Sequence, residues 1–131
     1  MAEKRVRQRT NEELHREMEE KLWEVALELH GDRLFTPADL APFCITSYND
    51  EALWVTPESS GEEIPLPIRR RDLVRACLHR LVGGRMEGRS LYESGVIPWK
   101  NSRSYLPAIA MAVVEDFISE IPQREKVKHE N

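Results

Sequence analysis

Long apolar runs, cysteines and glycine-rich phosphate loops are scarce in this sequence, and each scarcity excludes a class of protein. The longest apolar run, from Ala108 to Val114, is far too short to cross a bilayer. The start of the chain, Met1 to Arg7, lacks the apolar core of a signal peptide, so we expect a cytoplasmic protein. The two cysteines, Cys44 and Cys77, make neither a disulfide framework nor a zinc site.

The motifs of common enzymes are also missing. No Walker or dinucleotide-binding glycine loop occurs, and no glycine-flanked serine elbow. The four histidines have no metal-ligand spacing with one another or with the cysteines. We therefore expect a protein that is not an enzyme and that holds no metal and no cofactor. One enzymatic alternative stays open, a nuclease whose Mg²⁺ would be bound by carboxylates at strand ends, namely Asp50, Glu51, Glu62 and Glu63.

What is present predicts a single domain over 1–131, with flexible tails at 1–10 and 122–131. The clearest element is an acidic amphipathic helix at 11–30. Thr10 and Glu13 have the spacing of a capping box, and Gly31 is a typical helix-ending residue. Apolar residues recur at steps of three and four along one face, namely Leu14, Met18, Leu22, Val25 and Leu29.

The next segment predicts a short helix followed by a small sheet. Thr36, Pro37 and Asp39 are typical of a helix start, which indicates a helix near 37–43. Residues 44–48 and 52–56 are rich in strand formers and are separated by a turn, which indicates an antiparallel hairpin. Residues 64–68 contain two prolines and are expected to form an edge strand or an extended lead-in.

The second half of the chain predicts helices. A buried stripe indicates a helix near 70–82, which the Gly83-Gly84 pair ends. One or two helical turns are expected near 89–94, and a last helix from about Ser104 to Glu120, ended by Pro122. The expected fold class is α+β and mostly α, a helical domain with a small antiparallel β-hairpin.

The charge is unevenly distributed along the chain. Residues 1–68 carry 7 Lys/Arg and 15 Asp/Glu, whereas residues 69–103 carry 9 Lys/Arg and 3 Asp/Glu. Eight of those nine basic residues are arginine, whose planar guanidinium binds phosphate through two parallel hydrogen bonds. Two interpretations stay open. The arginines are displayed to an anionic target, or they pair with the acidic first helix of the same molecule.

The order of elements after residue 64 resembles the winged-helix and helix-turn-helix modules of prokaryotic DNA-handling proteins. The residues that carry the resemblance are Ile64-Pro65, Arg69-Arg70, Leu73-Val74-Arg75-Ala76, Gly84-Arg85 and Asn101-Ser102-Arg103-Ser104-Tyr105. It implies a winged-helix-like fold with a helix-turn-helix part at 64–121, and a DNA-binding accessory or regulatory function. The implied nucleic-acid-binding residues are Arg69, Arg70, Arg71, Arg85, Arg89, Lys100, Asn101, Ser102, Arg103, Ser104 and Tyr105.

An alternative function is protein–protein interaction through the helix at 11–30. Its apolar face would pack against a second copy of the chain, forming a homodimer, or against a larger partner. The residues of that contact would be Leu14, Met18, Leu22, Trp23 and Val25. Packing of the same face within the molecule is the competing explanation.

Overall fold

The computed structural model describes residues 10–84 and 105–130, with side chains described as far as Ser119. The first element, α1, is the helix Asn11–Glu28, and it confirms the predicted acidic helix with an end two residues earlier. The capping box is present, because Thr10 Oγ1 accepts a hydrogen bond from Glu13 N (3.0 Å) and Glu13 Oε1 accepts one from Thr10 N (3.1 Å). Gly31 follows with a φ of 87°, a conformation that favours glycine.

The predicted helix near 37–43 is wrong, because residues 36–41 form the turn of a β-hairpin and residues 42 and 43 begin its second strand. Strands β1 (Leu34–Phe35) and β2 (Pro42–Tyr48) pair antiparallel on either side of it. The buried Thr36 side chain closes the turn, with Oγ1 donating to Asp39 Oδ1 (2.8 Å) and accepting from Ala41 N (2.9 Å). Leu40 has a φ of 54°, which reverses the chain and stops helix propagation.

The remaining strands complete one antiparallel sheet with the order β1-β2-β3-β4 among the described residues. Strand β3 (Ala52–Pro57) pairs with β2, which confirms the predicted hairpin. Asn49 Oδ1 accepts hydrogen bonds from the backbone N–H groups of Glu51 (2.8 Å) and Ala52 (2.9 Å) and so shapes the turn between them. Only the end of the predicted 64–68 strand pairs, as β4 (Ile68–Arg69).

Two further helices follow the sheet. Helix α2 (Arg70–Leu81) confirms the predicted helix near 70–82. It ends at Leu81, and Gly83 follows with a φ of 91°. A side chain on Gly84 would collide with the ring of His79. Helix α3 (Tyr105–Glu130) begins where predicted but continues beyond Pro122. The predicted turns at 89–94 lie outside the described residues.

The core lies between the three described helices and one face of the sheet. Alternate strand residues point into it, including Phe43 and Ile45 from β2 and Leu53 and Val55 from β3. Helix α3 packs against both α1 and α2. The helices supply the rest of the core, chiefly Leu22, Val25, Ala26, Leu73, Ala76, Cys77, Leu106, Ile109, Ala110 and Val113.

The described part of the chain is therefore an α+β protein with three helices and a four-stranded antiparallel sheet. Within it, no helix combines the length and the apolar character needed to span a membrane.

Candidate nucleic-acid interface

The arginines at 69–71 lie where strand β4 passes directly into helix α2. Arg69 is the last strand residue and pairs with Ala52 at the start of β3. Arg70 N donates to the carbonyl of Glu51 in the β2–β3 turn at 2.8 Å. These two backbone links attach the start of α2 to the hairpin, so the position of the arginines is set by the fold.

A cleft of about 470 Å³ opens at this junction. Its lining comes from α1, from the β2–β3 turn and from the β4–α2 junction. The lining residues are Glu19, Glu51, Arg69, Arg70, Arg71, Val74 and Arg75. Within the described part of the chain, four arginines outnumber two glutamates in this lining, so it carries an excess of positive charge although the whole chain has a net charge of −4.

Arg70 is held in place by the protein itself. Its guanidinium carbon lies 5.4 Å from the centroid of the Trp23 ring, within the range of a cation–π interaction. Its Nη1 donates to the carbonyl of Asp50 at 3.2 Å. Arg70 is half-buried as a result, and it forms a fixed part of the cleft wall.

Arg69, Arg71 and Arg75 are exposed and differ from Arg70 in this respect. The Nε of Arg71 lies 4.0 Å from Asp72 Oδ1, at the outer limit of an ion pair. No hydrogen bond or ion pair between described residues joins Arg69 or Arg75 to a carboxylate. The interpretation that these arginines are neutralised by the acidic first helix therefore finds no ion pair at Arg69 or Arg75 in this part of the chain.

Asp72 is a buried carboxyl on the helix that carries these arginines. Its side chain is 2% exposed, and its Oδ1 has no hydrogen-bond partner among the described residues. Burial raises the pKa of Asp72, and this effect exceeds the opposing attraction of Arg71, Arg75 and Arg69. Burial therefore makes the negative charge of Asp72 less favourable than that of an exposed carboxylate.

Tyr105, the remaining predicted nucleic-acid-binding residue with a described position, packs against the core. It is half-buried, and its ring meets Phe43 edge to face with a centroid separation of 5.0 Å. The other predicted residues lie outside the described part of the chain, and their assignment stays a prediction. They are Arg85, Arg89, Lys100, Asn101, Ser102, Arg103 and Ser104.

The predicted partner-binding face of α1 is divided by the fold. Leu22 (1% exposed), Trp23 (4%) and Val25 (1%) pack in the core of the same molecule. Leu14 and Met18 are 48% and 39% exposed, on the first half of the helix. Packing within the molecule therefore accounts for three of the five predicted contact residues.

The residues considered for other chemistry are dispersed or enclosed. Among the described residues, no three His, Cys, Asp or Glu side chains are grouped so that they would hold a metal ion. Glu63, one of the nuclease candidates, accepts hydrogen bonds from Ser47 Oγ (2.6 Å) and Thr46 Oγ1 (2.7 Å), which lower its pKa. Burial raises the pKa of Cys77 to about 12, so this thiol is protonated at neutral pH.

Two acidic residues of the cleft are not predicted from the sequence. The sequence pattern gives no role to Glu19, and it predicts Glu51 to be a turn residue or a ligand of Mg²⁺. Both face the arginines because α1 and the β2–β3 turn converge on the start of α2. Trp23, predicted to contact a partner, instead supports Arg70. Nothing in the linear spacing of these residues signals that convergence.

Searches against protein-family models, curated protein sequences and solved structures found no match to this chain.

Proposed function

We propose that this protein is a non-enzymatic DNA-binding accessory or regulatory protein that contacts phosphate through the arginine-lined cleft at the start of α2. The observation that carries the proposal is that Arg69, Arg71 and Arg75 are exposed around one concave site. Arg71 approaches a carboxylate only at 4.0 Å, and Arg69 and Arg75 have no ion pair among the described residues. Guanidinium groups bind phosphate oxygens through strong, charge-assisted hydrogen bonds. A polyanion is the ligand that would use several of them together.

The acidic character of the rest of the molecule supports one orientation of binding. Helix α1 carries exposed glutamates along most of its length, so a nucleic acid would be repelled from that side. The cleft, in contrast, has more arginines than glutamates among its described lining residues. We therefore expect DNA to approach the start of α2 and to remain clear of the outer face of α1.

The winged-helix resemblance implies further DNA contacts from the basic residues in the segment between α2 and α3. Additional phosphate contacts would come from Arg85, Arg89, Lys100 and Arg103, and residues 101–104 would face the groove. Tyr105 packs against Phe43 instead. The test of this extension is Arg103→Ala beside Arg124→Ala. If neither substitution alters DNA binding, the groove assignment fails and only binding at the cleft remains.

The cleft itself is tested by the salt dependence of duplex binding. The double variant Arg71→Ala/Arg75→Ala is compared with Arg80→Ala, an exposed arginine on the same helix that does not line the cleft. We expect the slope of log K against log salt to become shallower by about 0.9 for each phosphate that the variant no longer neutralises, and Arg80→Ala to leave it unchanged. Wild-type binding that is independent of salt, or equal slopes for the two variants, would contradict the proposal.

The exposed half of α1 favours a second proposal, that the protein forms a homodimer. Leu14 and Met18 continue the apolar stripe of Leu22 and Val25 beyond the edge of the core. Sedimentation of Leu14→Gln/Met18→Gln, with Glu13→Gln/Glu20→Gln as the control, tests it. We expect the first variant to be a monomer and the control to sediment as the wild type does. A wild-type monomer would refute the proposal.

A further inference from the structure

We propose that the cleft at the start of α2 receives the terminal phosphate of a nucleic-acid strand, a phosphomonoester, in preference to the phosphodiesters within the strand. This inference rests on the proposed DNA-binding function and specifies which part of the nucleic acid enters the cleft. Three properties of the site lead to it: the balance of its charges, its size and the fixed position of one guanidinium.

The balance of charges fits a dianion. Among the described residues, four arginines and two glutamates line the cleft, which leaves an excess of two positive charges. A phosphomonoester carries a charge of about −1.5 to −2 at neutral pH because its second pKa is about 6. A phosphodiester carries a single negative charge and so neutralises less of the excess positive charge of the cleft.

The two glutamates also disfavour a continuous strand. Glu19 enters the cleft from α1 and Glu51 from the β2–β3 turn. Successive phosphates that run through the cleft would approach these carboxylates, and like charges at short distance repel each other. A strand end presents one highly charged group to the arginines, with no further phosphate beyond it.

The size of the cleft agrees with a single terminal group. A volume of about 470 Å³ lies within the range of pockets that enclose small ligands. Val74 adds an apolar side chain to the wall, a surface suited to the carbon atoms of a sugar or a base.

Arg70 provides a fixed donor for this group. The Trp23 ring and the Asp50 carbonyl hold the guanidinium, and only its Nη1 is engaged in a hydrogen bond among the described residues. A guanidinium has five N–H donors, so its remaining donors are available to phosphate oxygens. Arg69, Arg71 and Arg75 are exposed and line the same cleft, so they would add further donors. A fixed donor lowers the conformational cost of binding.

The test is isothermal titration calorimetry with one DNA duplex prepared in four forms. These are a 5′-phosphate, a 3′-phosphate, hydroxyl groups at both ends, and a covalently closed circle. We expect at least one of the phosphorylated forms to bind about tenfold more tightly than the hydroxyl-ended form, the effect of one charge-assisted hydrogen bond. The circle should bind as the hydroxyl-ended form does.

Variants of the cleft residues test whether the preference for a terminal phosphate arises at the cleft. Glu51→Gln should strengthen binding of the hydroxyl-ended form and so reduce the affinity ratio between the phosphorylated and hydroxyl-ended forms. Glu62 is an exposed glutamate that does not line the cleft, so Glu62→Gln should leave that ratio unchanged. Arg75→Ala should reduce binding of the phosphorylated form more than that of the circle. Unaltered preference in both Glu51→Gln and Arg75→Ala would overturn the assignment.

The outcomes separate this inference from the proposed function. Equal affinity for all four forms overturns the inference and leaves DNA binding intact. Failure of every form to bind overturns the proposed function itself. Deoxyadenosine monophosphate, titrated alone, distinguishes the two sources of a phosphomonoester. If it binds as tightly as the phosphorylated strand, the ligand is a free nucleotide, and the assignment to strand ends is refuted.

Discussion

The two faces of helix α2 have different relations to the rest of the molecule. One face, with Leu73, Ala76 and Cys77, is almost completely buried against the core. The other carries Arg71 and Arg75, which are exposed at the cleft. The difference shows that one helix positions the arginines through its buried face without using them for its own packing. Substitutions on the two faces should therefore affect stability and binding separately.

The largest effect is expected on the buried face. Leu73→Ala removes a side chain that is 1% exposed and leaves a cavity, so we expect the free energy of unfolding to fall by about 2–5 kcal/mol. Urea denaturation measures the change. The fraction that remains folded should bind DNA with wild-type affinity. A loss of stability below about 1 kcal/mol would show that the buried face does not anchor α2 as described.

Asp72 lies between the two faces of α2, and the variant Asp72→Asn tests its role through the pH dependence of stability. Burial raises the pKa of Asp72 above its ordinary value of 3.8, so the folded protein holds this proton more tightly than the unfolded chain does. The contribution of Asp72 to stability is therefore favourable below pH 3.8 and is lost as the pH rises through the folded-state pKa. We therefore expect the variant to be more stable than the wild type at pH 7, and the gain to disappear near pH 3.

The control for that experiment is Asp116→Asn on α3, an exposed carboxylate. Both variants are unfolded thermally over a series of pH values. If Asp72→Asn and Asp116→Asn change stability equally at every pH, the buried carboxyl has no special role.

Arg70 belongs to both regions, and its replacement should have an intermediate effect. Arg70→Met removes the cation–π interaction with the Trp23 ring and the hydrogen bond to the Asp50 carbonyl. We expect the free energy of unfolding to fall by about 0.5–1 kcal/mol in denaturation experiments, together with weaker DNA binding. Wild-type stability would indicate that Trp23 does not hold the guanidinium in solution.

The smallest effect on stability is expected on the exposed face. Arg71→Ala and Arg75→Ala should change the free energy of unfolding by no more than about 0.5 kcal/mol, because neither side chain packs in the core. The same proteins should have lower DNA affinity and a weaker salt dependence of binding. A large loss of stability in either variant would remove the distinction between the two faces.

The elements that follow local rules are predictable from the sequence. The steps of three and four between Leu14 and Leu29 indicate α1, and Thr10 with Glu13 gives its first residue. The same stripe does not show how far the core extends along it, so it does not distinguish the exposed Leu14 from the buried Leu22. The length of a packed face depends on the neighbouring elements.

The prediction at 37–43 is wrong because one set of residues suits two structures. Thr36, Pro37 and Asp39 serve equally at a helix start and in a hairpin turn, and the pairing of Leu34 with Phe43 decides between them.

The cleft shows the same limit of local patterns. The consecutive arginines indicate an anion-binding segment, but the glutamates that face them come from distant positions in the chain. The hydrogen bond from Arg70 N to the Glu51 carbonyl brings the β2–β3 turn beside the arginines. A contact of this kind depends on the tertiary fold, so the spacing of residues in the sequence does not predict it.

The position of Arg70 above Trp23 has a practical consequence. The indole ring lies against the guanidinium that forms part of the cleft wall, so an anion bound to this guanidinium alters the electric field at the indole. The emission spectrum of Trp23 should therefore report occupancy of the cleft without any added dye. Trp23→Phe, which retains the other two tryptophans, should abolish that signal.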